Sequence, residues 1–166
     1  MRTIRDMRKG DLNISYRIYD NVAELEKTDA NLMLAAEKSL KNAYAVYSGF
    51  RVGAALLLEN GEVILGNNQE NIAFPSSLCA ERVALYYCKA NYPDVKVVKI
   101  AITAKASSLK LIEPVSPCGA CRQVMSEYER IQNSNIEMIL KGEEGEVFIF
   151  DTVTELLPLA FETEAL

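Results

Sequence analysis

Three cysteines and one glutamate occur at spacings that suit a metal centre able to activate water. The segment Cys79-Ala80-Glu81 is followed later in the chain by Pro117-Cys118-Gly119-Ala120-Cys121. Zinc takes thiolate ligands readily, and a catalytic zinc site uses three protein ligands while keeping a fourth position for water. The motifs therefore predict a Zn²⁺ cofactor with three protein ligands, which are Cys79, Cys118 and Cys121.

The chain contains no histidine, which restricts both the ligands and the acid–base chemistry. Zinc must be held by thiolates, with carboxylates as a second choice. Proton transfer near neutral pH must fall to another type of side chain. Glu81 follows Cys79 closely enough to face the same pocket without binding the metal. We therefore predict that Glu81 is the catalytic residue that carries protons between water and substrate.

Arginines beside the cysteines are predicted to balance the charge of this centre. Three thiolates on one Zn²⁺ leave an excess negative charge, which opposes the acidification of a bound water. Arg82 is predicted to offset that charge by donating hydrogen bonds to the ligand sulfurs, and Arg122 is a second candidate for the same role. The starts of two predicted helices add partial positive charge at the same place.

Simpler interpretations of these residues remain open at this point. A lone Cys-x-x-Cys is weak evidence for a metal, and Cys118 with Cys121 could be a buried pair or a redox couple. A glutamate on a helix is most often solvated. Cys88 has no partner at a ligand spacing, and we interpret it as a small core residue.

Composition and charge favour a small substrate over a polynucleotide. The chain has 166 residues, of which 49% are hydrophobic and 25% charged, and its net charge is −5. A length of this order predicts a single domain over residues 1–166. Because binding along a phosphate backbone requires a basic surface, the acidic balance argues against a nucleic-acid polymer as partner.

The chain shows no pattern that would place it in or beyond a membrane. Its apolar runs are shorter than the roughly 20 residues that span a bilayer, and the N-terminus leads into no apolar signal region. Four cysteines without an export signal favour reduced thiols. We therefore expect a cytoplasmic protein without a membrane partner.

Apolar periodicity predicts an α/β chain with a five-stranded sheet and an additional N-terminal strand. Helical spacing marks residues 29–44, 79–90, 117–131 and a short stretch at 152–157. Asn60-Gly61 is a strong hairpin signal between two of the strands. The five core strands are predicted at residues 51–59, 62–65, 95–103, 136–140 and 146–150, and the N-terminal strand at 12–19.

The chain carries four motifs in order, which are Tyr47-Ser48-Gly49-Phe50-Arg51-Val52-Gly53-Ala54-Ala55, Asn68-Gln69-Glu70-Asn71, Cys79-Ala80-Glu81-Arg82 and Ser116-Pro117-Cys118-Gly119-Ala120-Cys121-Arg122-Gln123. Together they closely resemble the small homotetrameric cytidine deaminases, a family of zinc-dependent nucleoside deaminases. The resemblance covers about residues 30–163. It implies a three-layer α/β/α fold with a mixed sheet, in which residues from about 28 onward form the core and about 1–27 an extension.

The resemblance implies hydrolysis of cytidine and 2′-deoxycytidine to uridine and 2′-deoxyuridine, with release of ammonia, in pyrimidine salvage. Activated water would attack C4 of the base while Glu81 protonates N3 and then the departing amine. The backbone at Cys79 and Ala80 would hold the base carbonyl. Asn68 and Glu70 match the pair that binds the ribose 3′-hydroxyl, and Phe50 matches an aromatic beside the nucleoside.

The same resemblance implies that active sites are completed by neighbouring subunits of a homotetramer. Residues 152–161 resemble the closing segment of the family, in which the aromatic that matches Phe161 stacks on the base in an adjacent subunit. Phe74 stands where many relatives have tyrosine, and the N-terminal extension exceeds the shortest relatives. We expect that extension to lengthen the sheet edge or to add a subunit contact.

Three other functions remain as alternatives. The enzyme could act on a different small molecule that contains cytosine, which the absent hydroxyl at Phe74 keeps open. A polynucleotide-editing deaminase fits the acidic charge less well. A zinc-stabilised binding module would need a fourth ligand to close its site, and Cys88 is the only spare cysteine.

Overall fold

A mixed sheet of six strands lies at the centre of the computed structural model, which describes residues 9–161. Its strands in chain order are β1 (Arg17–Tyr19), β2 (Phe50–Leu58), β3 (Val63–Asn67), β4 (Val97–Ala106), β5 (Glu137–Lys141) and β6 (Val147–Phe150). They lie side by side in the order β1-β6-β5-β4-β2-β3. Strands β4 and β5 are parallel, and the other neighbouring pairs are antiparallel.

Helices cover both faces of the sheet and so produce three layers. Helix α1 (Lys27–Ser39) packs on one face through a cluster that includes Met33, Ala55 and Ile139. Helices α2 (Ala80–Asn91) and α3 (Gly119–Gln132) cover the other face. Successive strand residues point to opposite faces, so neighbours such as Ala55 and Leu56 enter different clusters. The predicted α/β fold with a mixed sheet is confirmed.

The predicted hairpin at Asn60-Gly61 is present between β2 and β3. Gly61 has a φ of +87°, a left-handed conformation that glycine adopts without steric penalty. Its N–H donates to the Leu58 carbonyl over 2.9 Å. The turn thereby sets the antiparallel register that pairs Leu57 with Val63.

The N-terminal strand is shorter than the sequence pattern predicts. Strand β1 covers Arg17–Tyr19 and pairs with β6, with Arg17 opposite Ile149 and Tyr19 opposite Val147. Continued in that register, Tyr16 would lie opposite Phe150, the last residue of β6, and residues 12–15 would lie opposite 151–154, where the chain has left the sheet. The earlier part of the predicted strand therefore has no partner.

Three helix boundaries also differ from prediction. Helix α1 ends at Ser39 and continues only as a 3₁₀ turn over Leu40–Asn42. Pro117 precedes α3 because Cys118 is the residue that caps its start. The C-terminal helix is a 3₁₀ segment over Val153–Leu156, capped by the Thr152 side chain. Among residues 9–161, none of the helices combines the length and the apolar character that a membrane-spanning helix requires.

Candidate active site

Three cysteine sulfurs converge at the starts of α2 and α3. Cys79 and Cys118 are the capping residues of the two helices, and Cys121 lies in the first turn of α3. The Sγ atoms are 3.9 Å apart for Cys79 and Cys118 and 3.5 Å apart for Cys118 and Cys121. All three lie within 4.8 Å of one another. Tetrahedral zinc with Zn–S bonds of about 2.3 Å separates its sulfurs by about 3.8 Å, so this donor set fits zinc.

Gly66 allows α2 to start close against the sheet. A Cβ atom at Gly66 would lie 2.2 Å from the Ala80 carbonyl oxygen and 2.8 Å from the Ala84 Cβ. Any larger residue would push the start of α2, and with it Cys79, away from β3. The sequence interpretation did not include Gly66, although a glycine beside a predicted strand is the signal that indicates close backbone approach.

Arg82 supports the cysteine centre, whereas Arg122 contacts main-chain carbonyls. The Arg82 Nη2 atom lies 3.6 Å from the Cys79 sulfur and donates to it. Arg122 donates from Nε to the Pro117 carbonyl and from Nη1 to the Leu156 carbonyl, each over 2.8 Å. The predicted bond from arginine to sulfur is therefore seen for Arg82, while Arg122 joins the loop before α3 to the C-terminal segment.

The thiols have unequal proton affinities because they hydrogen-bond to one another. A hydrogen bond from Cys121 has the largest effect on the pKa of Cys79, and those from Arg82 and Cys118 act in the same direction. Together they lower this pKa to about 5, although burial opposes the shift. The same bond to Cys79, together with burial, raises the pKa of Cys121. The lowered pKa of Cys79 favours its thiolate, which is the form that binds metal.

Glu81 places a buried carboxylate beside the sulfurs. The residue is 3% exposed, and its Oε2 atom has no hydrogen-bond partner among the described residues. Burial, followed by the negative charge of Cys79, raises the pKa of Glu81. Unpartnered buried carboxylate oxygens are rare in native structures and are frequently functional.

A cavity of about 460 Å³ joins this centre to polar residues of neighbouring loops. Its size lies in the range of roughly 300–1,000 Å³ that small-molecule sites occupy. Seven of the residues predicted for the site line this cavity, and they are Phe50, Asn68, Glu70, Cys79, Glu81, Arg82 and Cys118. The lining thus includes both the predicted reaction centre, here called the cysteine end, and the predicted sugar-binding pair with its supporting loops, here called the loop end.

The carboxylate of Glu70 is held by the loop before β2. It accepts a 2.8 Å hydrogen bond from the Tyr47 N–H and a very short one from the Ser48 hydroxyl. The Ser48 bond, then the Tyr47 bond, lowers the pKa of Glu70. Ser48 lies in the motif that begins at Tyr47, but nothing in the sequence indicated that its hydroxyl supports Glu70.

Asn68 uses its side-chain amide to hold the start of β2. Its Oδ1 accepts from the Val52 N–H over 2.8 Å, and its Nδ2 donates to the Phe50 carbonyl over 2.9 Å. One amide hydrogen and one oxygen lone pair remain for a ligand. Asn68 and Phe50 are therefore positioned by the same pair of bonds.

Three predicted site residues do not line the cavity with their side chains. Cys121 and Ala80 are fully buried behind it. Phe161 is 79% exposed, and its carbonyl accepts a 2.9 Å bond from the Gln123 Nε2.

Phe74 lines the cavity, is 69% exposed and packs edge-on against Tyr47 with ring centroids 6.0 Å apart.

A larger cleft of about 550 Å³ lies at the far ends of α2 and α3. Its walls include Cys88, Lys89, Tyr92 and Tyr128, and none of the predicted site residues. The smaller cavity is the candidate site because it alone of the two combines convergent sulfurs with an unpartnered buried carboxylate.

Comparisons with known proteins agree with this geometry. The family model described as "Cytidine and deoxycytidylate deaminase zinc-binding region" matches residues 26–138. A cytidine deaminase of Halalkalibacterium halodurans is 42% identical over 133 residues, covering 80% of this chain and 93% of the relative. One from Sporosarcina psychrophila is 40% identical over 136 residues, covering 81% and 92%.

Solved structures show the same similarity in three dimensions. The crystal structure of a Burkholderia pseudomallei cytidine deaminase matches with a TM-score of 0.68 and 35% identity, covering 82% of this chain and 100% of that one. A Mycobacterium tuberculosis cytidine deaminase matches with a TM-score of 0.62 and 28% identity, covering 80% and 96%. The chain belongs to the cytidine deaminase family and is an enzyme of the hydrolase class.

Proposed function

We propose that this protein deaminates cytidine and 2′-deoxycytidine hydrolytically to uridine and 2′-deoxyuridine, with release of ammonia. The observation that carries the proposal is the meeting of three cysteine sulfurs and an unpartnered buried carboxylate in one cavity. The family relation supports the nucleoside as substrate class. The proposed setting is the cytoplasm, in pyrimidine salvage, without a polynucleotide or membrane partner.

Cys79, Cys118 and Cys121 are proposed to hold Zn²⁺. When bound, zinc supplies a Lewis acid that lowers the pKa of water. Arg82 supports this arrangement because its hydrogen bond to the Cys79 sulfur withdraws negative charge from a ligand. The starts of α2 and α3 direct partial positive charge to the same point.

Glu81 is proposed as the proton carrier of the reaction. Burial raises the pKa of Glu81, so the side chain accepts a proton more readily than a solvated carboxylate and can return it. Glu81 would take a proton from the attacking water and deliver it to N3 of the base as the oxygen adds to C4. It would then take the remaining proton of that oxygen and deliver it to the departing amine, which leaves as ammonia. Its free Oε2 is the atom available for these contacts.

The other cavity residues are proposed to orient the nucleoside. The backbone at Ala80 begins α2 and would donate to the base carbonyl. Glu70 would accept a hydrogen bond from the ribose 3′-hydroxyl, and Asn68 would use its remaining donor and acceptor there. Phe50 would flank the sugar and base from the wall of the cavity.

We propose that the working unit is a homotetramer in which Phe161 serves a neighbouring subunit. Phe161 is exposed and does not line the cavity of its own chain. An exposed aromatic at the end of an anchored segment is suited to stack on a base held by another copy. A single domain over residues 1–166, with an extension to about residue 27, completes the proposed organisation.

Ultraviolet absorbance with purified protein tests the proposed reaction directly. We expect zinc-loaded protein to convert cytidine and 2′-deoxycytidine, and to convert free cytosine far more slowly because Asn68 and Glu70 then have no sugar to hold. Removal of the metal with a chelator should abolish turnover, and added zinc should restore it. Zinc-loaded protein that leaves both nucleosides unchanged would overturn the proposal. Preference for another cytosine nucleoside would direct attention to Phe74 at the cavity mouth.

A further inference from the structure

Polar side chains of α3 hold the C-terminal segment, defined here as residues 152–161. Glu129 receives hydrogen bonds from the beginning of the segment, including the Val153 N–H at 2.9 Å. Arg122 donates to the Leu156 carbonyl, and Gln123 donates to the Phe161 carbonyl. The segment therefore runs back along α3 toward the end that carries Cys118 and Cys121.

Arg122 occupies a special place in this arrangement because it contacts two separate parts of the chain. Its Nε donates to the carbonyl of Pro117, the residue before Cys118, and its Nη1 donates to the carbonyl of Leu156. Both bonds are 2.8 Å long. No ion pair within residues 9–161 uses this guanidinium. Its charge is directed at two main-chain oxygens.

We propose that Arg122 is a positioning residue that couples the loop before Cys118 to the C-terminal segment. Metal binding that orders the loop would then order the segment, and the ordered segment would strengthen metal binding. The inference rests on the proposed zinc site. It adds that metal binding at this site controls how well ordered the segment that carries Phe161 is. By linkage, the two effects must be equal in free energy.

The guanidinium is the group that suits this role. Its planar fork presents several N–H donors in fixed directions, so one side chain can bond two carbonyls at once. A lysine ammonium keeps the positive charge but is a compact point on a flexible stem. Replacing Arg122 by lysine therefore keeps the positive charge but removes the pair of hydrogen bonds to the two carbonyls.

Glu129 anchors the beginning of the segment independently of Arg122. Its buried carboxylate accepts from the Ile136 N–H over 2.7 Å, from the Val153 N–H and from the Thr152 hydroxyl. Residues 152–154 should thus stay in place when Arg122 is changed. The effect of Arg122 is expected from Leu156 onward, toward Phe161.

Hydrogen exchange on the full chain, with and without zinc, tests this coupling. In the wild type we expect zinc to slow exchange of the amides in residues 156–161 about tenfold, the effect of one charge-assisted hydrogen bond. In Arg122→Lys we expect zinc not to slow amide exchange in residues 156–161. We also expect its zinc affinity, measured by chelator competition, to be about tenfold weaker. Arg130→Lys, on the same helix and exposed, is the matched control and should behave as the wild type.

Each outcome bears on the inference in a defined way. Arg122→Lys that keeps both zinc-dependent protection and wild-type zinc affinity would overturn it. The wild type alone also tests it, since zinc binding without protection of residues 156–161 would overturn it and leave the proposed function standing. A wild type that binds no zinc would overturn the proposed function and the coupling together. Protection and affinity lost together in Arg122→Lys would support it.

Discussion

The two ends of the candidate cavity are built in different ways. At the cysteine end, Cys121 is fully buried and Glu81 is 3% exposed, and both sit at helix starts packed on the sheet. At the other end, Glu70 and Ser48 belong to loops, and Phe74 is 69% exposed. The cysteine end therefore rests on buried groups, although Cys118 is exposed at its surface, whereas the loop end is open to solvent within the described chain.

This contrast assigns the two parts of the proposed reaction to different kinds of structure. A buried centre holds its groups in a fixed geometry and strengthens their electrostatic effects. Loops held by a few hydrogen bonds can form a sugar site that needs a further element to enclose it. Changes at the cysteine end should therefore alter turnover, and changes at the loop end should alter substrate binding.

Glu70→Gln is expected to show the largest effect at the loop end. The variant keeps the shape of the side chain but replaces a charged acceptor, so kcat/KM for cytidine should fall about tenfold to a hundredfold, mainly through KM. Zinc content should be unchanged. A fall confined to kcat would contradict the separation of the two ends, and steady-state kinetics with metal analysis distinguishes the two results.

Ser48→Ala is the matched control, because it leaves the Glu70 carboxylate in place and removes its hydroxyl donor. The Ser48 bond, and then that from Tyr47, holds the pKa of Glu70 below its usual range. Without the Ser48 hydroxyl that pKa should rise, so Glu70 would become protonated at a higher pH than it does in the wild type. We expect KM of this variant to rise earlier than that of the wild type as pH falls below about 5. Identical pH profiles would count against the role of Ser48.

Phe161→Ala should have a smaller effect, about tenfold in kcat/KM, since one stacking contact would be lost. Mixing Phe161→Ala chains with Glu81→Gln chains gives the sharper test. If Phe161 serves a neighbouring subunit, co-assembled Phe161→Ala and Glu81→Gln chains should be more active than either variant alone, because some sites then combine an intact Glu81 with an intact Phe161. Activity that merely equals the average of the separate variants would show that Phe161 acts within its own chain or not at all.

Arg17→Met should have the smallest effect and should act on stability alone. Arg17 contacts Glu137 and Asp151, each over 2.6 Å, and so attaches β1 to the sheet. As Arg17 is 46% exposed at its side chain, the pair should contribute about 1 kcal/mol or less. Catalytic constants should not change, and denaturant unfolding measures the difference from the wild type.

The pH dependence of that difference follows from Glu137. Burial opposes its ionisation, but hydrogen bonds from Lys99 and Arg17 outweigh burial and lower the pKa of Glu137. A lowered folded-state pKa gives stabilisation that is complete above the ordinary carboxyl range and is lost as pH falls through the folded value. The stability gap between wild type and Arg17→Met should therefore narrow below about pH 4.5. A gap that widens in acid would contradict this assignment.

The cysteine end was predictable because its chemistry is local in sequence. The spacing of Cys118 and Cys121 places both thiols at one helix start, and Cys79 with Glu81 does the same at another. Hydrophobic periodicity predicted the sheet for a similar reason, because alternation along each strand reports which face it buries. Such patterns need no knowledge of distant contacts.

The features that the sequence did not predict depend on distant contacts. Gly66 matters only because the Ala80 carbonyl approaches it. Arg122 lies beside a predicted ligand, yet it bonds Leu156, far along the chain. Strand β1 begins only at Arg17 because its partner β6 ends at Phe150, which alternation within residues 12–19 cannot reveal.

The most direct test of the central claim is to measure turnover and zinc content together for Glu81→Gln. Glutamine keeps the size of the side chain but cannot carry a proton, and Glu127→Gln on the exposed side of α3 is a matched control. The account predicts full zinc content, retained cytidine binding and turnover lowered by at least about a hundredfold in Glu81→Gln only. Turnover equal to the wild type in a zinc-loaded Glu81→Gln enzyme would contradict it.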